Sequence, residues 1–225
     1  DGEVRLACSA SAVPGAGVVE AAVLTSGAIY RWFRDAFYPG DDGFDAVNAE
    51  AAATPAGANG LLLLPHFKGS GAPYWDPQAR GAFYNLTLST TRGEMARAIL
   101  EGIAVEMKGG LDLVEGLCGR VESVSVSGGL TRSDLFNQIQ GDVFDRTVER
   151  LANNEATSLG AWIAGAVAVG LESSYPAAFA RAARPELSRR YGPEASRRDG
   201  YEQQCERSRA LYRALAAPEL RALFS

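Results

Sequence analysis

The stretch "VSVSGGLTRSDLFNQ", residues 124–138, alternates Val and Ser as a half-buried strand does, drops two consecutive side chains at Gly128 and Gly129, and resumes with the polar opening of a helix. Missing side chains at a strand-to-helix junction let a ligand touch backbone N–H groups, and the first helical turn adds unpaired donors and a partial positive charge. The chemistry this outlines is the holding of a phosphate. Thr131 or Ser133 can cap the helix, and Asp134 is favourable in its first turn. Taken alone the signal is weak, since roughly three such junctions in four are plain turns, Gly punctuating loops generally. Two standard nucleotide fingerprints are excluded. A Walker A loop needs Gly before its Lys, whereas Lys68 follows Phe67 and Lys108 follows Met107. The GxGxxG pattern fails because Gly69-Ser70-Gly71 runs on into Ala-Pro-Tyr.

Other residues could do chemistry, and each has a structural reading beside the chemical one. Asp76 and Arg80 in "PYWDPQARG" suggest an acid and a charge clamp, but a loop so full of Gly, Pro and aromatics reads as a packed corner near a cleft. His66, the only histidine, could act as acid or base, yet the sequence supplies it no positioned partner, so a structural role is expected. Glu101, Glu106, Asp112 and Glu115 lie opposite an apolar helical stripe and read as its solvated face. Cys8, Cys118 and Cys205 are far apart and odd in number, which leaves neither a disulfide framework nor a CxxC metal knuckle. No metal site is expected, and a reducing, cytoplasmic setting fits.

The elements that must position these residues are legible from periodicity. Arg5 to Ser11 and Val18 to Ala22 read as strands joined in a hairpin by "VPGAG". "TSGAIYRWFRDAFYPG" carries Ile29, Trp32, Phe33 and Phe37 at helical spacing, and a second helix is expected over Asp45 to Ala53. "NGLLLLP" is a fully buried strand candidate and "GAFYNLTL" a later strand. From Arg92 to about Leu117, Met95, Ile99, Ile103, Met107, Leu111 and Val114 predict one long helix with a buried face. Val121–Val126, Ser133–Phe144, Thr147–Leu151 and Ala156–Val169 then alternate strand and helix, which implies parallel strands with crossover helices. In the last of these, small residues in "TSLGAWIAGAVAVG" allow close packing against the sheet, with Asn153, Asn154 or Thr157 as its cap. After Gly170 the chain looks helical, and its nine arginines from Arg181 to Arg213 read as solvated surface.

Composition limits the function classes. A chain of 225 residues, 47% hydrophobic and 22% charged, can bury a substantial core as one large domain or two small ones. A net charge of −5 with only two lysines argues against a nucleic-acid groove. The longest apolar stretch, Leu159 to Leu171, falls short of the roughly 20 residues that span a bilayer. No basic-then-apolar leader opens the chain, and its start at Asp1 suggests a processed protein or an excised part of a longer one.

Several ordered motifs carry a resemblance. "LLLLPHFKGSGAPYWDPQARGAFYNLTLSTTRGEMARAILEGIAVEM", followed by "VSVSGGLTRSDLFNQIQGDVFDRTVERLANNEATSLGAWIAGAVAVG", resembles the C-terminal domain of the FGGY carbohydrate kinases, the group that includes glycerol kinase and xylulokinase. "GAFYNLTLSTTRGEMARAILE" follows the family's second signature, with Asn85 where Gly is usual. The likeness extends back through "AVLTSGAIYRWFRD" and forward to about Leu171, roughly three quarters of the chain.

The resemblance implies an α/β fold of the actin-like, ribonuclease-H-like ATPase class, a mixed sheet flanked by helices. Residues 1–171 would form the nucleotide-binding lobe and 172–225 additional C-terminal helices of the same domain. It implies ATP and Mg²⁺ clamped between two lobes, and transfer of a phosphoryl group to a primary hydroxyl of a small sugar or polyol. Gly129 falls on a backbone contact to the ATP phosphates, with Gly128 beside it, and Gly27 matches another nucleotide-contacting glycine. Ser133 stands where glycerol kinase has an adenine-contacting Asn, and Arg31 where it has a Gln near the nucleotide. The family's general-base Asp, its "GTSG"-like loop and the first strand find no match, so the fragment alone is expected to be inactive. The partners implied are the sugar or polyol and the N-terminal kinase lobe. A homodimer is compatible, and neither nucleic acid nor membrane is called for. "GSGAPYWDPQARGAF" leans toward glycerol-kinase-like members, and ketopentose kinases remain open. An actin- or Hsp70-like ATPase switch and a non-catalytic binding module that kept the fold are the alternatives.

Overall fold

The computed structural model describes residues 5–40, 43–152, 155–182 and 187–223. Strands β1 (Ala7–Ala10) and β2 (Gly17–Glu20) pair antiparallel as the hairpin expected from "VPGAG". Helix α1 (Ser26–Phe37) buries Ile29, Tyr30 and Phe33, and α2 (Gly43–Ala53) buries Val47 and Ala51. Strand β3 (Leu62–Leu64) is buried along its whole length and pairs antiparallel with β4 (Ala82–Tyr84). β4 is shorter than "GAFYNLTL" suggests, because Asn85 takes φ 72° and turns the backbone out of the ladder, leaving Leu86 and Leu88 exposed. Left-handed backbone is where Gly is at ease and Asn is tolerated, so Asn85 suits a position where the resemblance leads one to expect Gly.

Helix α3 (Arg92–Cys118) is the organising element. It opens on a reciprocal capping box: the Thr91 hydroxyl accepts from the Glu94 N–H at 3.2 Å, and the Glu94 carboxylate accepts from the Thr91 N–H at 2.7 Å. Its Gly102 lies so close to β3 that a Cβ there would sit 2.5 Å from the Leu63 carbonyl oxygen, so only Gly permits this approach. Strand β5 (Ser123–Val126), helix α4 (Asp134–Phe144) and strand β6 (Thr147–Leu151) form the expected crossover, with β5 and β6 parallel.

Helix α5 (Ala156–Ala168) departs from expectation. Its small residues do not bring it onto the sheet: it packs on α6 (Tyr175–Ala182), its one buried residue is Ala166, and Gly160 and Gly165 face open space. Asn153 and Asn154 lie outside the described residues. Thr157 is one residue inside the helix, and the N-cap position, Glu155, makes no side-chain cap bond.

The tail is corrected too. Strand β7 (Leu187–Tyr191) pairs antiparallel with β6, making the three-stranded sheet mixed, where the sequence suggested helices broken at Pro and Gly. The available edge of β6 and specific charge pairs override local propensity: Arg190 meets Glu149 at 3.0 Å across the strands, and Tyr191 is buried in the core. Helix α7 (Arg198–Leu215) and the short α8 (Pro218–Arg221) follow. Tyr201 and Cys205 of α7 join Ile99 and Ile103 of α3 in one buried cluster.

This burial overturns the reading of Glu101 and Glu106 as solvated. Glu101 is completely buried: Oε1 accepts from Gly57 N at 3.0 Å, Arg97 Nε at 2.8 Å and Tyr201 Oη at 3.0 Å, and Oε2 from Gln204 Nε2 at 3.1 Å. Glu106 is buried against His66 Nε2 at 3.1 Å and accepts from Ser70 Oγ at 2.8 Å. His66 thus has the partner that the sequence did not reveal, in a structural setting. Glu115 is largely enclosed by a bidentate pair with Arg146, at 2.8 and 2.9 Å. The second side of α3 is covered by α4 and α7, segments far away in sequence. Asp76 is likewise buried, accepting from Tyr212 Oη at 2.9 Å, from Gln78 N at 3.0 Å and from Arg221, as a packed corner should.

Candidate functional site

Strand β5 ends at Val126 and delivers the chain to Gly128, whose φ of 103° with ψ near 180° is a backbone conformation that essentially only Gly adopts. A single 3₁₀ turn, Gly129–Arg132, then leads to Ser133, the N-cap of α4, whose Oγ accepts from Phe136 N at 3.4 Å. Of the two cap candidates the structure therefore uses Ser133. Thr131 instead locks the turn, its hydroxyl donating to the Gly128 carbonyl at 2.7 Å and its N–H to the same oxygen at 3.2 Å.

Gly128 and Gly129 leave room that packing does not require. A Cβ on either would meet nothing within 4 Å, and Gly129 is solvent-exposed. The Gly129 N–H donates to no carbonyl among the described residues. Exposed backbone, an unused donor and the N-terminus of an eleven-residue helix are what an anionic oxygen requires.

The structure brings Gly27 to this loop. A Cβ on Gly27 would sit 3.6 Å from Leu130 Cγ, so the start of α1 rests against the turn that follows the paired glycines. Arg31 stands one helical turn further along α1, exposed, as is Arg132 within the turn, and neither has a hydrogen-bond or ion-pair partner among the described residues. The start of α1 at Gly27 therefore lies against the turn that follows Gly128–Gly129, and Ser133 caps the helix that this turn opens. Ser133 Oγ acts as the helix cap, accepting from Phe136 N.

Two further residues shape the site without having been singled out. Asn137, fully buried in α4, donates from Nδ2 to the Thr131 carbonyl at 2.8 Å, and its Oδ1 has no partner among the described residues. Its signal was a polar side chain one turn beyond the cap. Thr25, the N-cap of α1, is held at φ 68°, an unusual strain for a β-branched residue, while its hydroxyl donates to the Pro65 carbonyl at 3.3 Å. Only the backbone shows that strain. Neither of two larger concavities, of about 930 and 660 Å³, is lined by the glycine loop, which stands as an open edge. Among the described residues no three His, Cys, Asp or Glu side chains cluster as metal ligands, and no helix is long and apolar enough to cross a membrane.

The family model described as FGGY family of carbohydrate kinases, C-terminal domain, matches residues 3–169. The chain is 36% identical over 166 residues to glycerol kinase of Haemophilus influenzae, which covers 73% of this chain and 32% of that protein. It is 38% identical over 178 residues to glycerol kinase of Alkalilimnicola ehrlichii, covering 76% and 35%. It thus spans about a third of the length of these relatives. Among solved structures, xylulose kinase from Rhodospirillum rubrum superposes with a TM-score of 0.80 at 28% identity, over 94% of this chain and 42% of that one. Ligand-bound xylulose kinase from Lactobacillus acidophilus shares the fold with a TM-score of 0.84 at 24% identity, over 100% and 44%.

Proposed function

Because the chain belongs to the FGGY family of carbohydrate kinases, as its C-terminal domain, we propose that it is the nucleotide-binding lobe of an ATP-dependent kinase acting on a small sugar or polyol. The observation that carries this reading is the Gly128–Gly129 loop, with side-chain space left empty, a Gly129 N–H that donates to no carbonyl among the described residues, and α4 behind it. A glycerol kinase with ADP from Plasmodium falciparum shares the fold, with a TM-score of 0.74.

In this reading MgATP supplies the phosphoryl group that is transferred. The residues of this chain fix its position. The Gly129 N–H would donate to a phosphate oxygen, and the α4 N-terminus would add favourable potential. Asn137 and Thr131 keep the loop from relaxing, and Gly27 leaves α1 close enough for Arg31 to reach the nucleotide. Ser133 would face the adenine side, its hydroxyl accepting from Phe136 N and keeping its own O–H to donate. Phosphoryl transfer depends on positioning and electrostatic relief, with a general base orienting the acceptor hydroxyl. That base, the acceptor pocket and much of the Mg²⁺ coordination fall to the N-terminal lobe, so residues 1–171 with their 172–225 extension would bind nucleotide without turnover. Glycerol is the acceptor favoured by the sequence relatives, with a ketopentose next.

Titration of MgADP into the 225-residue chain by calorimetry tests the reading. Saturable binding is expected, weakened at least tenfold by Gly129→Val, with no sugar-dependent ADP release. Equal affinity in the variant would remove the loop from the site.

A further inference from the structure

The larger cavity, of about 930 Å³, shares no residue with the glycine loop. It lies between the β3–β4 hairpin, the corner at residues 78–81 and the C-terminal end, where α7 passes into α8. Its volume is that of a small-molecule site. Leu64, Leu215, Pro218 and Leu220 give it aliphatic walls. Its one tyrosine, Tyr212, already stacks on Tyr74 with ring centroids 3.7 Å apart, so the walls suit a hydrocarbon chain better than a flat ring.

The polar part of the lining carries cationic side chains and, among the described residues, no carboxylate. Two of its basic groups are engaged by acids outside the lining: Arg221 bonds Asp76, and His66 Nε2 meets Glu106 at 3.1 Å. Arg80 is held differently. Its Nη1 donates to the carbonyls of Pro77 at 3.1 Å and Ala79 at 2.9 Å, which uses both hydrogens of that nitrogen and fixes the guanidinium plane without neutralising it. Nε and Nη2 of Arg80 have no partner among the described residues. These two nitrogens form the side-on edge on which a carboxylate docks through two parallel N–H···O bonds.

One anchored, unneutralised guanidinium beside aliphatic walls complements a monoanion with a hydrocarbon body. A phosphate dianion would bring a second charge that the lining leaves unmatched.

We propose that this cavity binds a medium-chain aliphatic carboxylate, its head group on the Nε–Nη2 edge of Arg80 and its chain along Leu64, Leu215 and Leu220. The experiment is calorimetric titration of octanoate into the 225-residue chain, with butyrate, 1-octanol and inorganic phosphate alongside. Octanoate binds saturably, at least tenfold more tightly than butyrate because each buried methylene contributes, and at least tenfold more tightly than 1-octanol, which lacks the charge. Arg80→Gln, at an exposed position, weakens octanoate at least tenfold with an unchanged circular dichroism spectrum and without changing 1-octanol binding. Leu215→Gln, at a position 37% exposed and so tolerant of a polar side chain, weakens both. Gly129→Val has no effect. Absence of saturable octanoate binding to the wild-type chain overturns the proposal. So does equal binding of 1-octanol, tighter binding of inorganic phosphate, or octanoate affinity that survives Arg80→Gln or Leu215→Gln. Loss of binding in Gly129→Val also overturns it, by assigning the anion to the glycine loop.

Discussion

At the residue scale, two adjacent glycines have different reasons to be glycine. Gly128 is fixed by its backbone, at φ 103°, and Gly129 by nothing inside the lobe, since a Cβ there meets no atom within 4 Å. Gly128→Ala should therefore cost about 1–3 kcal/mol of stability from backbone strain alone. Gly129→Ala should change stability by less than about 0.5 kcal/mol, as surface substitutions do, while still weakening nucleotide binding. Urea denaturation of the two variants separates the cases. Loss of comparable stability in both would mean that Gly129 is also structural. The paired glycines were visible in the sequence, whereas the difference between them needed dihedral angles.

At the element scale, α3 holds the lobe together through Glu101, which ties it to the turn at Gly57 and to α7. Glu101→Ala leaves Arg97 buried without its carboxylate, and breaking a buried pair in this way costs about 3–5 kcal/mol. The double variant Arg97→Met, Glu101→Leu should recover much of that loss, because the desolvation penalty of both charges is removed together. Denaturant midpoints of the single and double variants measure this. The apolar stripe of α3 was readable from its spacing. The burial of its opposite face was not, because α7, which covers it, lies about a hundred residues further on.

At the scale of the whole molecule, the C-terminal end is latched onto the Gly- and Pro-rich corner through Asp76, which Tyr212 and Arg221 both engage. Burial alone would raise the Asp76 carboxyl, but the hydrogen bonds from Tyr212, Arg221 and Gln78 N outweigh it and hold it below the usual carboxylate range. A carboxyl lowered on folding contributes stability that is present above its ordinary value of about 3.8 and is lost as the pH falls through its folded value. Thermal unfolding of wild type and Asp76→Asn should therefore differ at neutral pH and converge in strong acid. A difference that persists unchanged into strong acid would assign the latch to packing.

The sequence by itself determined the family, the crossover of β5, α4 and β6, the long central helix and the glycine loop, because each rests on local periodicity or on a short ordered motif. It also carried Gly27 and Gly128–Gly129 as separate clues. Tertiary structure decided what distance along the chain conceals. Leu130 against Gly27 brings two clues to one face, β7 completes the sheet from a segment whose composition favours helix, and α7 buries carboxylates that a helical wheel assigns to water. The physical reason is common to all three: burial and pairing are set by partners remote in sequence, and local propensities of a few tenths of a kcal/mol to about 1 kcal/mol per residue yield to them.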